Sequence, residues 1–108
     1  MADTFKVLGQ VNPAATTLTT LYTVPASTSA TISSIVVCNQ STATTFRISV
    51  QVAAAVDNAK QYLYYDVAIP ANETFIATVG ITLATTDVVK CYAGSANLSF
   101  NLFGVQIT

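Results

Sequence analysis

Short segments in which apolar and polar residues alternate, separated by turn residues at fairly regular spacing, constrain the fold more than any other feature. The segment "FRISVQV" places every second residue from Phe46 to Val52 on an apolar face, and "NLSFNLFGVQI" repeats this pattern from Leu98. An alternation with a period of two is typical of a strand with one buried face. The segment "TISSIVVCNQ" departs from it between Ile32 and Ile35, which indicates a β-bulge or burial on both faces.

About eight such segments occur in 108 residues, with no convincing long helix and no linker between domains. This inventory predicts an all-β, single-domain antiparallel β-sandwich of about eight strands, and a jelly roll is the favoured form. An immunoglobulin-like sandwich is the alternative, although no tryptophan lies between Cys38 and Cys91 to support an antibody-type core. We expect residues 1–12 to form an N-terminal arm or first strand and residues 13–108 to form the sandwich.

Charged residues are scarce in this chain, at 8 % of the sequence with a net charge of −1, against about 25 % in an average soluble domain. The four basic residues are dispersed, so we expect no nucleic-acid partner, because phosphate binding needs a concentrated basic surface. We also expect no membrane partner, because no apolar run approaches the roughly 18 residues of a spanning helix. The beginning "MADTFKVLGQ" lacks a basic region followed by an apolar core, so export by the general secretory route is not expected.

The sequence contains few residues that could carry out chemistry. Histidine is absent, which removes the commonest general base and every Ser-His or Cys-His arrangement. Four acidic residues beside turns could act as a carboxylate pair: Asp57, Asp66, Glu73 and Asp87. Oxygen ligands for calcium could come from two loops, as Asp57, Asn58, Asn72 and Glu73. Turn formation and solubility are the favoured roles of all these residues. We therefore expect no enzyme activity, no cofactor and no metal site, and we expect Cys38 and Cys91 to be buried thiols.

The segment "KQYLYYDVAI" has large side chains on both faces of the strand that it predicts. Unbroken alternation would direct Leu63, Tyr65, Val67 and Ile69 into the core. It would leave Tyr62 and Tyr64 on the outer face, where they could contact another protein. Alternatively, Tyr62, Tyr64 and Tyr65 could stack on sugars, with Asn and Asp residues nearby. Protein contact is favoured, because tyrosine supplies a large rigid surface with a polar tip and the cores of protein interfaces are depleted in charge.

The order of several segments resembles a group of small virion proteins of tailed bacteriophages, including cyanophages. The resemblance covers nearly the whole chain and rests on the segments "TLYTVPA", "ISSIVVCN", "FRISV", "YYDVAIPANET", "GITLATTDVVKCYA" and "NLSFNLFGVQI". Each motif consists of ordinary strand and turn residues, so the order and spacing carry the likeness. No catalytic residue transfers with it.

The resemblance implies a non-enzymatic structural protein of the virion that assembles in the cytoplasm of the bacterial host, where both cysteines would remain free thiols. The favoured role is a capsid decoration (cement) protein that stabilises the head lattice. The alternatives are a tail, baseplate or fibre component, or a module that binds host glycans. We expect a homo-oligomer, with a trimer favoured, and contacts to the major capsid protein or other virion proteins. The predicted contact residues are Phe5, Lys6, Val7 and Leu8 in the N-terminal arm, with Tyr62 and Tyr64.

Overall fold

The computed structural model describes residues 2–108, which fold into two antiparallel sheets packed face to face. The nine strands are β1 (Asp3–Val11), β2 (Thr19–Thr23), β3 (Ser29–Asn39), β4 (Thr44–Gln51), β5 (Tyr62–Ile69), β6 (Thr74–Ala77), β7 (Ile81–Leu83), β8 (Val88–Ala93) and β9 (Leu98–Ile107). Two short 3₁₀ turns, Val52–Ala54 and Ala59–Gln61, lie between β4 and β5. No helix within residues 2–108 has the length and apolar character that a membrane crossing requires.

The strand order identifies the sandwich as a jelly roll. The first sheet has the order β1-β9-β3-β6, with β7 also paired to β3, and the second has the order β2-β8-β4-β5. With β6 and β7 counted as one edge position, this gives two four-stranded sheets joined mainly by connections from one sheet to the other. An immunoglobulin-type domain would place its first and second strands together in one sheet, whereas β1 and β2 lie in different sheets.

The expected strand "TFIATVGITL" is interrupted, which explains why nine strands are present where about eight were predicted. Residues 78–80 lie outside any strand, and β6 and β7 pair separately with β3. Phe75 and Ala77 still face the core, but Val79 lies in the interruption and is exposed.

The core fills the space between the two sheets, as the alternating pattern predicts. Leu98, Phe100 and Leu102 of β9 are completely buried, as are Phe46 and Ile48 of β4. The rings of Phe46 and Phe75 lie 4.9 Å apart between their centroids, and Phe46 meets Phe100 edge to face at 6.3 Å. The pattern fails at Val52, which was expected to face inward but is 67 % exposed, because β4 ends at Gln51 and a 3₁₀ turn begins.

Gly104 shows how closely β3 approaches β9. A Cβ atom at this position would collide with the carbonyl oxygen of Thr31 and lie 3.1 Å from the Cα of Ile32. The close approach occurs where the pairing of β3 with β9 shifts between Ile32 and Ser34. This shift confirms the bulge that the sequence indicated in β3.

Two buried polar side chains hold the turns at the ends of the sandwich. Asn39 donates from Nδ2 to the carbonyl oxygens of Thr42, Ile69 and Pro70, at 2.8, 3.2 and 3.0 Å. Asp87 accepts from the backbone N–H groups of Ala53 and Ala84, each at 2.9 Å. The predicted turn-forming role is therefore confirmed for Asp87, which ties the turn after β4 to the turn before β8.

Candidate functional site

The outer surfaces of the two sheets differ in chemistry and provide two candidate sites. On the first sheet, the outward-facing positions of neighbouring strands form an apolar face, defined as Phe5, Val7, Val36, Ile76, Phe103 and Val105. Phe5 is 79 % exposed and Ile76 is 64 % exposed, and the strands β3, β6, β7 and β9 contain no charged residue. Surfaces of this kind mark interaction sites more often than single scattered apolar residues do.

The strand pairing arranges this apolar face as two groups, because across the β3–β9 ladder Phe103 pairs with Ser34 and Val36 pairs with Asn101. Val7 pairs with Phe103, and Phe5 pairs with Val105, across the β1–β9 ladder. On the other side of the sheet, Val36 pairs with Ile76 across the β3–β6 ladder. Residues directly opposite on one face lie close enough for their side chains to touch.

The predicted contact residues of the N-terminal segment lie on two different sides of β1. Phe5 and Val7 belong to the apolar face, whereas Lys6 points the other way and its Nζ donates to Oε1 of Gln106 at 3.4 Å. Leu8 is half-buried and packs against the core at a bulge between Val7 and Gly9. Residues 3–11 form an integral edge strand of the first sheet rather than a separate arm.

The interpretation of "KQYLYYDVAI" as an unbroken alternation is wrong. Leu63 and Tyr65, expected in the core, are 45 % and 57 % exposed. Tyr64, expected outside, packs inward with its ring 5.3 Å from that of Phe75. The cause is a pair of register shifts in the pairing of β4 with β5, and Asp66 lies at a φ of 50° in this region. Each shift changes which residues of β5 face inward, so Ile69 faces the core as expected although Leu63 and Tyr65 do not.

The register shifts bring Tyr62 and Tyr65 together on the outer face of the second sheet. Their rings stand at 89° with centroids 5.1 Å apart. The guanidinium carbon of Arg47 lies 4.1 Å from the Tyr65 ring and 4.3 Å from the Tyr92 ring, so it is placed between two aromatic side chains. We call Arg47, Tyr62, Tyr65, Asp66 and Tyr92 the tyrosine–arginine cluster.

Asp66 fixes the position of Arg47 within this cluster. Nε of Arg47 donates to Oδ1 of Asp66 at 2.7 Å, and an NH2 group donates to Oδ2 at 3.3 Å. This hydrogen-bonded pairing raises the pKa of the Arg47 guanidinium above its usual value, against an opposing effect of burial. Arg47 therefore stays charged, with a neutralising carboxylate beside it.

A cleft of about 560 Å³ opens beside the cluster, lined by Arg47, Asp57, Ala59, Tyr62 and Tyr65. The Tyr62 hydroxyl donates to the Asp57 carboxylate at 3.2 Å. Burial is the main cause that raises the pKa of Tyr62, and the hydrogen bond to the Asp57 carboxylate raises it further. The hydroxyl therefore remains a proton donor throughout the neutral range.

The sequence reasoning recognised Tyr62, and it named Tyr65 among the tyrosines that could stack on sugars, but it missed Arg47 and Tyr92 as their neighbours. Arg47 and Tyr92 could have been linked only through the pairing of β4 with β8, where they lie directly opposite. Because no sequence signal marks the bulge at Asp66, the true partner of Tyr62 could not be chosen between Tyr64 and Tyr65.

The cysteines and the remaining acidic residues do not form a further site. Cys91 is buried, and this burial raises the pKa of its thiol to about 12, while Cys38 is only half-buried. The expectation of two buried thiols is therefore confirmed only for Cys91. Within residues 2–108, no three Cys, Asp or Glu side chains lie together as a metal site would require.

Comparison of the chain with protein-family models, curated proteins and solved structures finds no match.

Proposed function

We propose that this chain is a non-enzymatic structural protein of a tailed-phage virion, and that it decorates the head and stabilises the capsid lattice. The apolar face of the first sheet is the observation that supports this role best. Burying such a surface releases water from apolar groups, and among the five strands of the first sheet only Asp3 of β1 places a charge at an outward-facing position. The likeness of the strand segments to small virion proteins supplies the assignment to a phage particle.

The contacts that this role requires are between proteins. Phe5 lies on the edge strand β1 and Ile76 on the edge strand β6, so the two groups of the apolar face lie toward opposite edges of the first sheet, with Ser34 and Asn101 between them. Burial of both together requires a broad partner surface, such as another copy of the chain or the capsid exterior. We propose that copies associate as a trimer through this face and that the trimer clamps neighbouring capsid subunits.

The oligomer is tested by sedimentation of the purified chain and of the double variant Phe5→Ser/Val7→Ser. The wild-type chain should sediment as a trimer and the double variant as a monomer with an unchanged circular dichroism spectrum. Val56→Ser is the matched control, because Val56 is 85 % exposed but lies in the loop between β4 and β5. A monomeric wild-type chain, or a double variant that remains trimeric, would contradict the proposed trimer contact.

The location is tested by immunogold electron microscopy of purified virions with an antibody against the chain. Label on the heads is expected, and particles assembled without the chain should lose their DNA at a lower temperature than complete particles. Added wild-type protein should restore heat resistance, whereas Phe5→Ser/Val7→Ser should not. Label confined to tails would instead support a tail, baseplate or fibre component, and unlabelled particles would refute a virion role.

A further inference from the structure

The cleft beside the tyrosine–arginine cluster lies on the second sheet, on the opposite side of the sandwich from the apolar face. The proposed function uses the first sheet and therefore gives this cleft no role. We infer that this cleft is a binding site for a neutral saccharide. This inference does not depend on the virion role or on the trimer.

The two tyrosine rings provide the stacking surface. Arg47 covers one face of the Tyr65 ring. Tyr65 as a whole is 57 % exposed, so its exposed surface includes the other face and the edges of the ring. Tyr62 stands perpendicular to it at 5.1 Å and forms the second wall of a corner. A pyranose ring presents C–H groups on its faces, and these pack on aromatic rings while its hydroxyls project sideways.

The stacking surface is held in place before any ligand binds. Tyr65 rests on Arg47, and Arg47 is fixed by two hydrogen bonds to Asp66 and by the ring of Tyr92. Side chains that are already ordered lose little conformational entropy on binding, which favours affinity for a small ligand.

Asp57 provides the polar recognition at the rim of this corner. Its carboxylate accepts from the Tyr62 hydroxyl and, within residues 2–108, from no other donor. An ionised carboxylate has about four acceptor positions, so it can accept from neighbouring sugar hydroxyls. Arg47 adds guanidinium N–H groups at the lining of the same cleft.

The charges favour a neutral ligand over an anion. Asp66 already neutralises Arg47, and Asp57 adds a negative charge that would repel a phosphate or a carboxylate ligand. A purely apolar ligand is disfavoured as well, because it would remove water from Asp57 without replacing its hydrogen bonds. The volume of about 560 Å³ lies within the range of roughly 300 to 1,000 Å³ that small-molecule sites occupy, which suits a ligand of one or two sugar rings.

The test is titration of the whole chain with a panel of neutral disaccharides built from hexoses and N-acetylhexosamines, with inorganic phosphate as the comparison. The chain has no tryptophan, and three of its five tyrosines belong to the cluster, so tyrosine fluorescence is sensitive to binding there, and saturation-transfer NMR identifies the sugar protons in contact. At least one disaccharide should bind at millimolar concentrations or below. Binding of phosphate in place of every saccharide, or binding of nothing in the panel, would overturn the inference.

Three variants locate the binding. Tyr65→Ala should weaken the affinity by about tenfold, the size of one aromatic stacking contact, and Asp57→Asn should weaken it through the lost acceptor. Leu63→Ala is the matched control, because Leu63 is 45 % exposed on the same strand but does not line the cleft. Equal affinity in Tyr65→Ala and the wild type would place the sugar elsewhere and overturn the inference. All three variants should sediment like the wild type, so failure of this site and failure of the trimer proposal are distinguishable.

Discussion

The replacement Arg47→Met tests the tyrosine–arginine cluster most directly, because it keeps an unbranched apolar side chain and removes the guanidinium. It breaks the ion pair with Asp66 and two cation–π contacts, with Tyr65 and Tyr92. The side chains of Arg47 and Asp66 are 22 % and 47 % exposed, so solvent screening reduces the ion pair to about 0.5 kcal/mol. Each partly exposed cation–π contact contributes about 0.5 to 1 kcal/mol.

These contributions predict that Arg47→Met lowers the free energy of unfolding by about 1.5 to 2.5 kcal/mol. The measurement is urea unfolding followed by circular dichroism, with the slope of the transition compared to exclude a change in the denatured state. Lys90→Met is the control, because Lys90 is a half-buried residue of β8 on the same sheet and forms no ion pair within residues 2–108. It should lower the free energy of unfolding by less than about 0.5 kcal/mol.

A double-mutant cycle between Arg47→Met and Tyr92→Leu isolates one of the two stacking contacts. A coupling free energy of about 0.5 to 1 kcal/mol is expected, since the two residues touch and lie opposite each other in the β4–β8 ladder. Additive effects, or equal losses for Arg47→Met and Lys90→Met, would show that the stack contributes nothing to stability and would refute the reasoning.

Two further predictions concern buried groups. Asp87→Asn should lower the free energy of unfolding in urea by about 2 to 4 kcal/mol, because it replaces an acceptor of the Ala53 or Ala84 N–H with a second donor. The control Asp3→Asn, at an exposed strand position, should change the free energy of unfolding by less than about 0.5 kcal/mol. Equal effects of the two replacements would contradict the acceptor role of Asp87. Cys91 makes stability depend on pH, because its thiol has a pKa of about 12 when folded and an ordinary value of 9.0 when unfolded. The stability of the wild type relative to Cys91→Ala should be constant below pH 9 and fall between pH 9 and about 12, and parallel stability curves would contradict this.

The fold was predictable because it depends on a pattern that recurs along the chain. Phe46 and Ile48 in β4, like Leu98 and Phe100 in β9, alternate with polar neighbours, and all four are fully buried. Repeated over many segments, this pattern leaves a two-sheet sandwich as the arrangement that buries every apolar face at once. The phase shift in β3 was also visible in the order of apolar residues, and the structure decided between a bulge and burial on both faces.

The sites were less predictable because they depend on positions where the alternation breaks without a signal. In β5, apolar and aromatic residues occupy both phases, so a shift at Asp66 leaves no trace in the pattern. The exchange of Tyr64 and Tyr65 between the inner and outer faces followed from this shift. Val52 was misplaced for a related reason, since apolarity alone does not mark where β4 ends.

The sequence by itself determined an all-β sandwich with few charges, because period-two alternation is a local property of each strand. Only the tertiary structure decided which strands became neighbours, and with them the pairing of Arg47 with Tyr92 and of Val36 with Ile76. The residues of each pair are about 40 or more positions apart in the chain, and their contact depends on the register between strands. Since that register is set by the packing of both sheets together, neither candidate site could be assembled from local sequence.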